Sequence, residues 1–298
     1  MPNRLSLRHL QFLFIGTFGS GRPGIQDERR GITSHQRASR AYIAGLVLAV
    51  AVLLASAQVP AAHLESAIAP RFKAIAFDYL VLFNPDSIVT EVDGVFPGKG
   101  REFTNLWRTR QFEYSWLRSI TDRYVDFFTI TDDALVYTAK AMKLELTEDN
   151  RRRLQSAYLH LSPWPDTVDA LGKLKKSGLR VITLASFSPA MLRSNTENAG
   201  MTEFFDLLVS TDANHTYKPD PRAYQLGMDR LQLEKQDILF VAFGGWDAAG
   251  AKAFGYPTFW VNRFDQPLEE LSIRPDQTSS NLDGLLSFVL TDPPQPGR

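Results

Sequence analysis

Three charged residues, Asp78, Lys218 and Asp247, follow apolar stretches that are typical of buried β-strands. Asp78 comes directly after KAIAF, Lys218 follows FFDLLVST, and Asp247 follows DILFVAF. A carboxylate at a buried strand end costs free energy unless a cation pairs with it. A neighbouring lysine keeps such a carboxylate ionised and able to act as a nucleophile. Taken singly, the aspartate could cap a turn and the lysine could be solvated, so it is their joint order that indicates chemistry.

The segments that would position these residues alternate between strand and helix after residue 71. Strands are predicted at KAIAFDYLVLF, LRVITLAS, FFDLLVST, DILFVAF and PTFWVN, because each is a short apolar run. Helices are predicted between them at DTVDALGKLKKSG, which Gly178 ends, and at PAMLRSNTENAG, DPRAYQLGMDRLQ and DAAGAKAFG. This alternation predicts an α/β fold with a Rossmann-like parallel sheet.

A helical block interrupts the alternation after the first strand. Residues 88–161 contain REFTNLWRTRQFEYSWLRSI, TDDALVYTAKAMKLEL and TEDNRRRLQSAYLHL, the last two with capping residues at Thr131-Asp132 and Thr147-Glu148. We expect this block to be an inserted cap over the carboxyl ends of the strands, where ligands bind in such sheets. The Rossmann-like core would then comprise residues 71–87 and 162–290.

Composition excludes several classes of site. Lys+Arg and Asp+Glu both number 33, so the formal charge is zero and no basic stripe suggests nucleic-acid binding. The absence of cysteine excludes disulfides, thiolate zinc sites and a cysteine nucleophile. Without metal-ligand spacing among the five histidines, we expect no metal and no cofactor; they are His9, His35, His63, His160 and His215.

The first 57 residues differ from the rest. Residues 1–40 are polar, basic and glycine-rich, which indicates disorder or a start codon assigned too far upstream. Residues 41–57 are almost purely apolar, follow Arg37 and Arg40, and end in Ala55-Ser56-Ala57, the order of a secretory signal peptide. The sequence therefore predicts an exported, periplasmic protein. A retained membrane anchor and a cytoplasmic protein are the alternatives.

Four long segments resemble the haloacid dehalogenase superfamily, and within it the type II L-2-haloacid dehalogenases. They are FPGKGREFTNLWRTRQFEYSWLRSI, SPAML, YKPDPRAY and GGWDAAGAKAFGYPTFWVNR, within a resemblance that spans residues 72–290. It implies hydrolysis of a short (S)-2-haloacid to a 2-hydroxy acid of inverted configuration, through an ester on the nucleophile and without metal or other cofactor.

The resemblance also implies a role for each matching residue. Asp78 would be the nucleophile, Lys218 would keep it charged, and Asp247 would orient the lysine and the hydrolytic water. Arg108, in WRTRQFEY, would hold the leaving halide, where a fixed cation stabilises developing charge. The small-molecule substrate would contact a further set of residues, namely Tyr79, Ser186, Tyr224, Trp246 and Phe127.

Relatives of this type commonly form homodimers through the cap helices. An apolar set in this chain could supply that surface or could instead form the core of the cap; it comprises Leu106, Trp107, Phe112 and Trp116.

The family motifs are altered in places. The family's first motif, F-D-x-Y-G-T-L-F, is one residue shorter here, FDYLVLF, which puts Tyr79 at the tyrosine, Leu80 at the glycine and Val81 at the threonine. In the second and fourth motifs Ala185 and Ala242 replace serines, Gly244 replaces an asparagine, Ser186 stands at an asparagine and Phe187 at a glycine. We expect a drier, more apolar substrate cavity that keeps its charged residues.

Two other functions compete with dehalogenation. The altered cavity is compatible with a catalytically weak exported binding protein, or with a hydrolase for another small apolar substrate. A metal-dependent phosphatase is disfavoured because Leu80, two residues after Asp78, replaces the usual second aspartate.

Overall fold

A single parallel sheet forms the centre of the protein in the computed structural model, which describes residues 71–291. The strand order is β3-β2-β1-β4-β5-β6, and every pairing is parallel. This confirms the predicted α/β, Rossmann-like class. The strands are β1 (Ala74–Phe77), β2 (Arg180–Ala185), β3 (Leu207–Ser210), β4 (Ile238–Ala242), β5 (Thr258–Val261) and β6 (Gln277–Ser279).

The helices of the described part occupy two stretches of chain. Those between β1 and β2 are α1 (Tyr79–Leu82), α2 (Val89–Val95), α3 (Gly100–Ile120), α4 (Phe127–Ala141), α5 (Glu148–Ala157) and α6 (Thr167–Lys176). Those after β2 are α7 (Pro189–Asn198), α8 (Pro221–Leu231), α9 (Gly245–Phe254) and α10 (Leu282–Leu290).

The core lies on both faces of the sheet because successive strand residues point to opposite sides. In β1, Ile75 and Phe77 pack in one buried cluster with residues of α6, α7 and α10, whereas Ala74 and Ala76 pack in a second with residues of α8 and α9. β1 has β2 on one side and β4 on the other. The chain therefore leaves β1 at the point where the strand order reverses, which is where such sheets bind ligands.

The first predicted strand is shorter than expected. KAIAFDYLVLF was predicted as one strand, but β1 ends at Phe77 and α1 starts at Tyr79. The Asp78 side chain caps α1, its Oδ1 accepting a hydrogen bond from Leu80 N at 2.9 Å. An apolar run that is buried on all sides has no polar period to distinguish strand from helix, so the pattern could not place this boundary.

Helices α3 and α4 are joined by buried polar contacts. Trp107 Nε1 donates to Thr131 O at 2.8 Å, and Gln111 Nε2 donates to Thr131 Oγ1 at 2.9 Å. The prediction that Thr131 starts a helix is wrong, because α4 begins after Asp126, whose carboxylate caps it. The predicted cap Thr147 is confirmed at the start of α5.

Two elements near the carboxyl terminus were not predicted, β6 and α10. β6 has three residues, is polar and mostly exposed, and lies at the sheet edge, so it lacks an apolar signal. Asn281 caps α10 through Gly284 N. Predictions for residues 1–40 and 41–57 fall outside the described part. Within residues 71–291, no helix combines the length and apolarity that crossing a membrane would require.

Candidate active site

The carboxyl edge of the sheet brings three charged side chains together. Lys218 Nζ lies 2.6 Å from Asp78 Oδ2 and 2.6 Å from Asp247 Oδ2. The lysine and Asp247 are almost completely buried, whereas the Asp78 side chain keeps 15% of its exposure. The sequence predicted this meeting from strand order alone, because the carboxyl ends of parallel strands share one edge.

Several local contacts fix the geometry. Asp247 lies in the first turn of α9, and Tyr224 on α8 donates its hydroxyl to Asp247 Oδ1 at 2.7 Å. Gly250 makes this approach possible, since a Cβ there would lie 2.5 Å from the Tyr224 hydroxyl. On the other side, Tyr217 N donates to Ser119 Oγ of α3 at 3.1 Å, which ties the lysine segment to that helix.

The burial of the cluster sets its charge states. Burial lowers the pKa of Lys218, but the charges of Asp247 and Asp78 outweigh burial, so the pKa of Lys218 is raised. Burial raises the pKa of Asp247 to about 6, against the opposing effect of Lys218. The lysine is therefore a permanent cation, while Asp247 gains or loses its proton close to neutrality, as expected for a catalytic acid or base.

Asp78 and Asp247 face a very small cavity of about 20 Å³, which is room for about one water. Ser186, Phe127 and Trp246 lie in its wall, as predicted from the sequence. The remaining wall was not predicted as such, although three of its residues had already stood out as altered motif positions, namely Leu80, Phe187 and Gly244. The full remaining wall consists of Leu80, Phe112, Phe187, Phe243 and Gly244. Apart from the two aspartates, Ser186 and Trp246 are the lining residues whose side chains carry a polar atom.

Tyr79 does not face this cavity, which corrects the prediction that it contacts substrate. It is fully buried, stacks on Phe83 with ring centroids 4.6 Å apart, and donates its hydroxyl to Leu192 O at 3.1 Å. Successive side chains of α1 diverge by about 100°, so Leu80 occupies the wall and Tyr79 points into the core.

Tyr224 also differs from its predicted role. It is fully buried and lies outside the cavity lining, with its hydroxyl on Asp247. Tyr224 therefore positions a carboxylate and does not contact substrate.

Among the four predicted catalytic residues, Arg108 is the one that the structure does not bring to the site. Its Nη1 lies 2.8 Å from Asp86 Oδ1 and its Nη2 donates to Asn105 Oδ1 at 2.9 Å. It lines a separate cavity of about 360 Å³ together with Asp86 and Arg101. Burial favours the neutral form of Asp86, but Arg108 and Arg101 outweigh it and lower its pKa. The guanidinium predicted to hold a halide is thus paired with a carboxylate that sequence analysis did not single out.

Comparison with known proteins decides the family. The model of the haloacid dehalogenase-like hydrolases matches residues 33–255. The chain belongs to this family. The (S)-2-haloacid dehalogenase of Pseudomonas sp. (strain YL) is 42% identical over 220 residues, which cover 74% of this chain and 95% of that protein. The haloacid dehalogenase resemblance inferred from the motifs is therefore confirmed, including its L-2-haloacid dehalogenase type.

Solved structures of haloacid dehalogenases share the fold. The L-2-haloacid dehalogenase RSc1362 has a TM-score of 0.72 and 36% identity, covering 74% of this chain and 99% of its own. The L-2-haloacid dehalogenase from Xanthobacter autotrophicus with chloropropionic acid covalently bound has a TM-score of 0.71 and 32% identity, covering 74% and 100%.

The departures from the haloacid dehalogenase motifs do not all reach the cavity. Val81, Ala185 and Ala242 are fully buried and pack in the hydrophobic clusters away from the cavity lining. Gly244, Leu80 and Phe187 do line it. The dry character of the cavity therefore comes from these three positions and the aromatic rings around them.

Proposed function

We propose that this haloacid dehalogenase-like protein hydrolyses the carbon–halogen bond of short (S)-2-haloacids through an ester on Asp78. The relatives at about 40% identity are (S)-2-haloacid dehalogenases, and the match with this chain covers nearly the whole length of each of them. A solved L-2-haloacid dehalogenase structure matches over nearly its whole length as well. The observation that carries the assignment of residues is the ammonium of Lys218, shared between Asp78 Oδ2 and Asp247 Oδ2 at the floor of an apolar cavity.

In the first step a carboxylate oxygen of Asp78 attacks C2 of the substrate, the C2–O bond forms, and halide leaves with the bonding electrons. Lys218 Nζ, 2.6 Å from Asp78 Oδ2, pairs with this carboxylate and fixes its position for the attack. The aromatic wall excludes bulk water, so the Asp78 carboxylate is surrounded by fixed protein groups, such as Lys218 Nζ and Leu80 N, in place of mobile water molecules. Attack opposite to the leaving group inverts C2.

In the second step water attacks the carbonyl carbon of the Asp78 ester. Asp247, ionised above about pH 6, accepts the proton of that water as it attacks. The ester C–O bond at the Asp78 carbonyl then breaks, and the departing oxygen takes the proton back from Asp247 and leaves as the hydroxyl of the 2-hydroxy acid. The other proton of the water passes to solvent as Asp78 returns to its carboxylate. Lys218, next to both carboxylates, compensates the charge that moves between them.

Chloride release from (S)-2-chloropropionate tests the reaction, and Asp78→Asn is expected to abolish it. A single turnover in heavy-oxygen water should then place label in the Asp78 carboxylate, as mass spectrometry of the peptide would show. A wild-type protein that releases no chloride from any short 2-haloacid contradicts the substrate assignment. Label found only in the 2-hydroxy acid contradicts the ester.

We further propose that the reaction needs no metal ion. The facing oxygens of Asp78 and Asp247 already bind Lys218 Nζ, and Leu80 brings no oxygen to the cavity. These groups suit an ammonium better than a divalent cation, which would need further oxygen ligands. Chloride release should therefore survive dialysis against a chelator, and loss of activity that Mg²⁺ restores would contradict this.

Export and self-association are also proposals. If residues 41–57 are a cleaved signal, the secreted protein begins near Gln58, and N-terminal sequencing that starts well before residue 55 contradicts cleavage.

For a homodimer, Trp107 is unavailable because it is fully buried against Tyr158. Of the other three predicted residues, Phe112 and Trp116 pack against Trp246, whereas Leu106 is half-buried. Leu106 therefore remains for the dimer surface, together with Leu117, which was not predicted and is exposed eleven positions further along α3. Light scattering that gives a monomeric mass contradicts a homodimer.

A further inference from the structure

A second, much larger cavity lies next to the reaction cavity. This outer groove measures about 660 Å³ and is open to solvent. Its wall is almost entirely apolar, and two of its side chains, Ile120 and Leu271, are 82% and 62% exposed. A groove of this size and character suits an apolar chain of several carbons.

Trp246 is shared between the two cavities. It lines the small cavity that contains Asp78 and also lines the outer groove. Its indole packs edge-on against Phe112 and Trp116, with ring centroids 5.4 Å away in both cases. Phe112 belongs to the inner cavity and Trp116 to the outer groove, so the indole stands between the two spaces.

The indole takes this position because residue 244 has no side chain. A Cβ on Gly244 would lie 2.7 Å from Trp246 Nε1, closer than side chains approach one another. The motif departure at Gly244 therefore has a structural consequence, which is to let Trp246 close the inner cavity.

A substrate cannot fit without movement of this wall. The inner cavity holds about one water molecule, whereas a three-carbon haloacid is several times larger. The indole of Trp246 is partly exposed and has the open volume of the outer groove beside it. It is therefore the wall side chain that can yield with the least loss of packing.

We propose that Trp246 is a movable partition and that the outer groove receives the apolar chain of 2-haloacids longer than three carbons. The proposal deepens the proposed function and rests on it. It makes Trp246 and the groove determinants of chain length, with the halogen-bearing carbon at Asp78 and the rest of the chain directed past Trp246 into the groove.

The experiment compares chloride release from (S)-2-chloropropionate and (S)-2-chlorohexanoate. Ala253 is exposed on α9 and lines the groove but not the inner cavity, so Ala253→Phe fills the groove without touching the reacting groups. We expect the wild type to use both acids. Ala253→Phe should lower kcat/KM for the hexanoate at least about tenfold and leave the propionate unchanged. Ala253→Ser, which adds little bulk, is the matched control and should behave as wild type.

The outcomes separate the two proposals. If wild type releases chloride from the propionate but not from the hexanoate, or if Ala253→Phe treats both acids as wild type does, the groove proposal is overturned and the dehalogenase assignment stands. No chloride from either acid overturns the dehalogenase assignment itself. Ile273→Trp fills the groove from another lining position and gives the same readout should Ala253→Phe unfold, which thermal melting would show.

Discussion

Lys218 shares its ammonium between two carboxylates that differ in burial. Asp247 is fully buried and its pKa is raised to about 6, while Asp78 opens onto the cavity. One carboxylate is thus placed to attack and the other to exchange protons near neutrality. This division of roles follows from burial, because the distances from the lysine are equal.

At the residue scale, Tyr224→Phe tests the control of Asp247. The Tyr224 hydroxyl donates to Asp247 Oδ1 and so stabilises the ionised form, which lowers the pKa of that carboxyl. Without the hydroxyl, the acid limb of the single-turnover rate of ester hydrolysis, expected near pH 6, should move upward by about 0.5–1 pH unit. The rate at about pH 8 should change little, since Asp247 is ionised there in both proteins.

Tyr256→Phe is the matched control for that shift. Tyr256 is equally buried in the same cluster, but its hydroxyl donates to the backbone oxygen of Tyr224 at 2.7 Å and not to Asp247. Its loss should lower stability and leave the acid limb in place. An acid limb that moves equally in both variants would indicate a general packing effect.

At the scale of the elements, Asp86 ties the turn after α1 to helix α3. Its carboxylate binds Arg101 and Arg108, which lie seven positions apart on that helix. A guanidinium that is neutralised in this way attracts a leaving halide less than a free one would. The Asp86 carboxylate therefore competes with the halide for Arg108, and removing its charge tests whether Arg108 holds the halide as the family resemblance implies.

Asp86→Asn is expected to increase activity. The change keeps the shape of the side chain and removes the charge that competes for Arg108, so kcat/KM for (S)-2-chloropropionate should rise about three- to tenfold. The effect should depend on Arg108: in a double-mutant cycle, Arg108→Ala should cost more in the Asp86→Asn background than in the wild type. An additive cycle would show that Asp86 does not restrain Arg108, and an Arg108→Ala variant with unchanged kcat/KM in both backgrounds would show that Arg108 does not act on the halide.

At the scale of the whole molecule, the sequence predicts what depends on strand order and misses what depends on side-chain direction. Asp78, Lys218 and Asp247 meet because their strands end at one edge, and five of the six strands carry a clear apolar signal. Tyr79 points away from the cavity because β1 ends at Phe77 and a helix begins at Tyr79, and a uniform apolar run does not mark such an end. The position of the Arg108 guanidinium depends on its ion pair with Asp86, 22 residues earlier in the chain. Nothing in the sequence around Asp86 indicates that it would bind this arginine.

Stability should also depend on pH through the buried cluster. The folded protein raises the pKa of Asp247 from its ordinary 3.8 to about 6, so in this range the folded state binds more protons than the unfolded state. The contribution is therefore fully present below about pH 4 and is lost as the pH rises to about 6, by on the order of 2–3 kcal/mol. Carboxylates whose pKa is lowered, such as Asp206 and Asp276, act in the opposite sense and below about pH 4.

Denaturant unfolding of the wild type and Asp247→Asn at about pH 4 and pH 7 isolates this contribution. Asparagine cannot titrate, and all other groups are common to both proteins, so they cancel in the difference between the two unfolding free energies. That difference, wild type minus variant, should fall as the pH rises. A difference that is constant with pH would mean that Asp247 keeps an ordinary pKa in the folded protein. The proton acceptor of the second step would then be ionised well below pH 6, and the acid limb near pH 6 would have to come from another group.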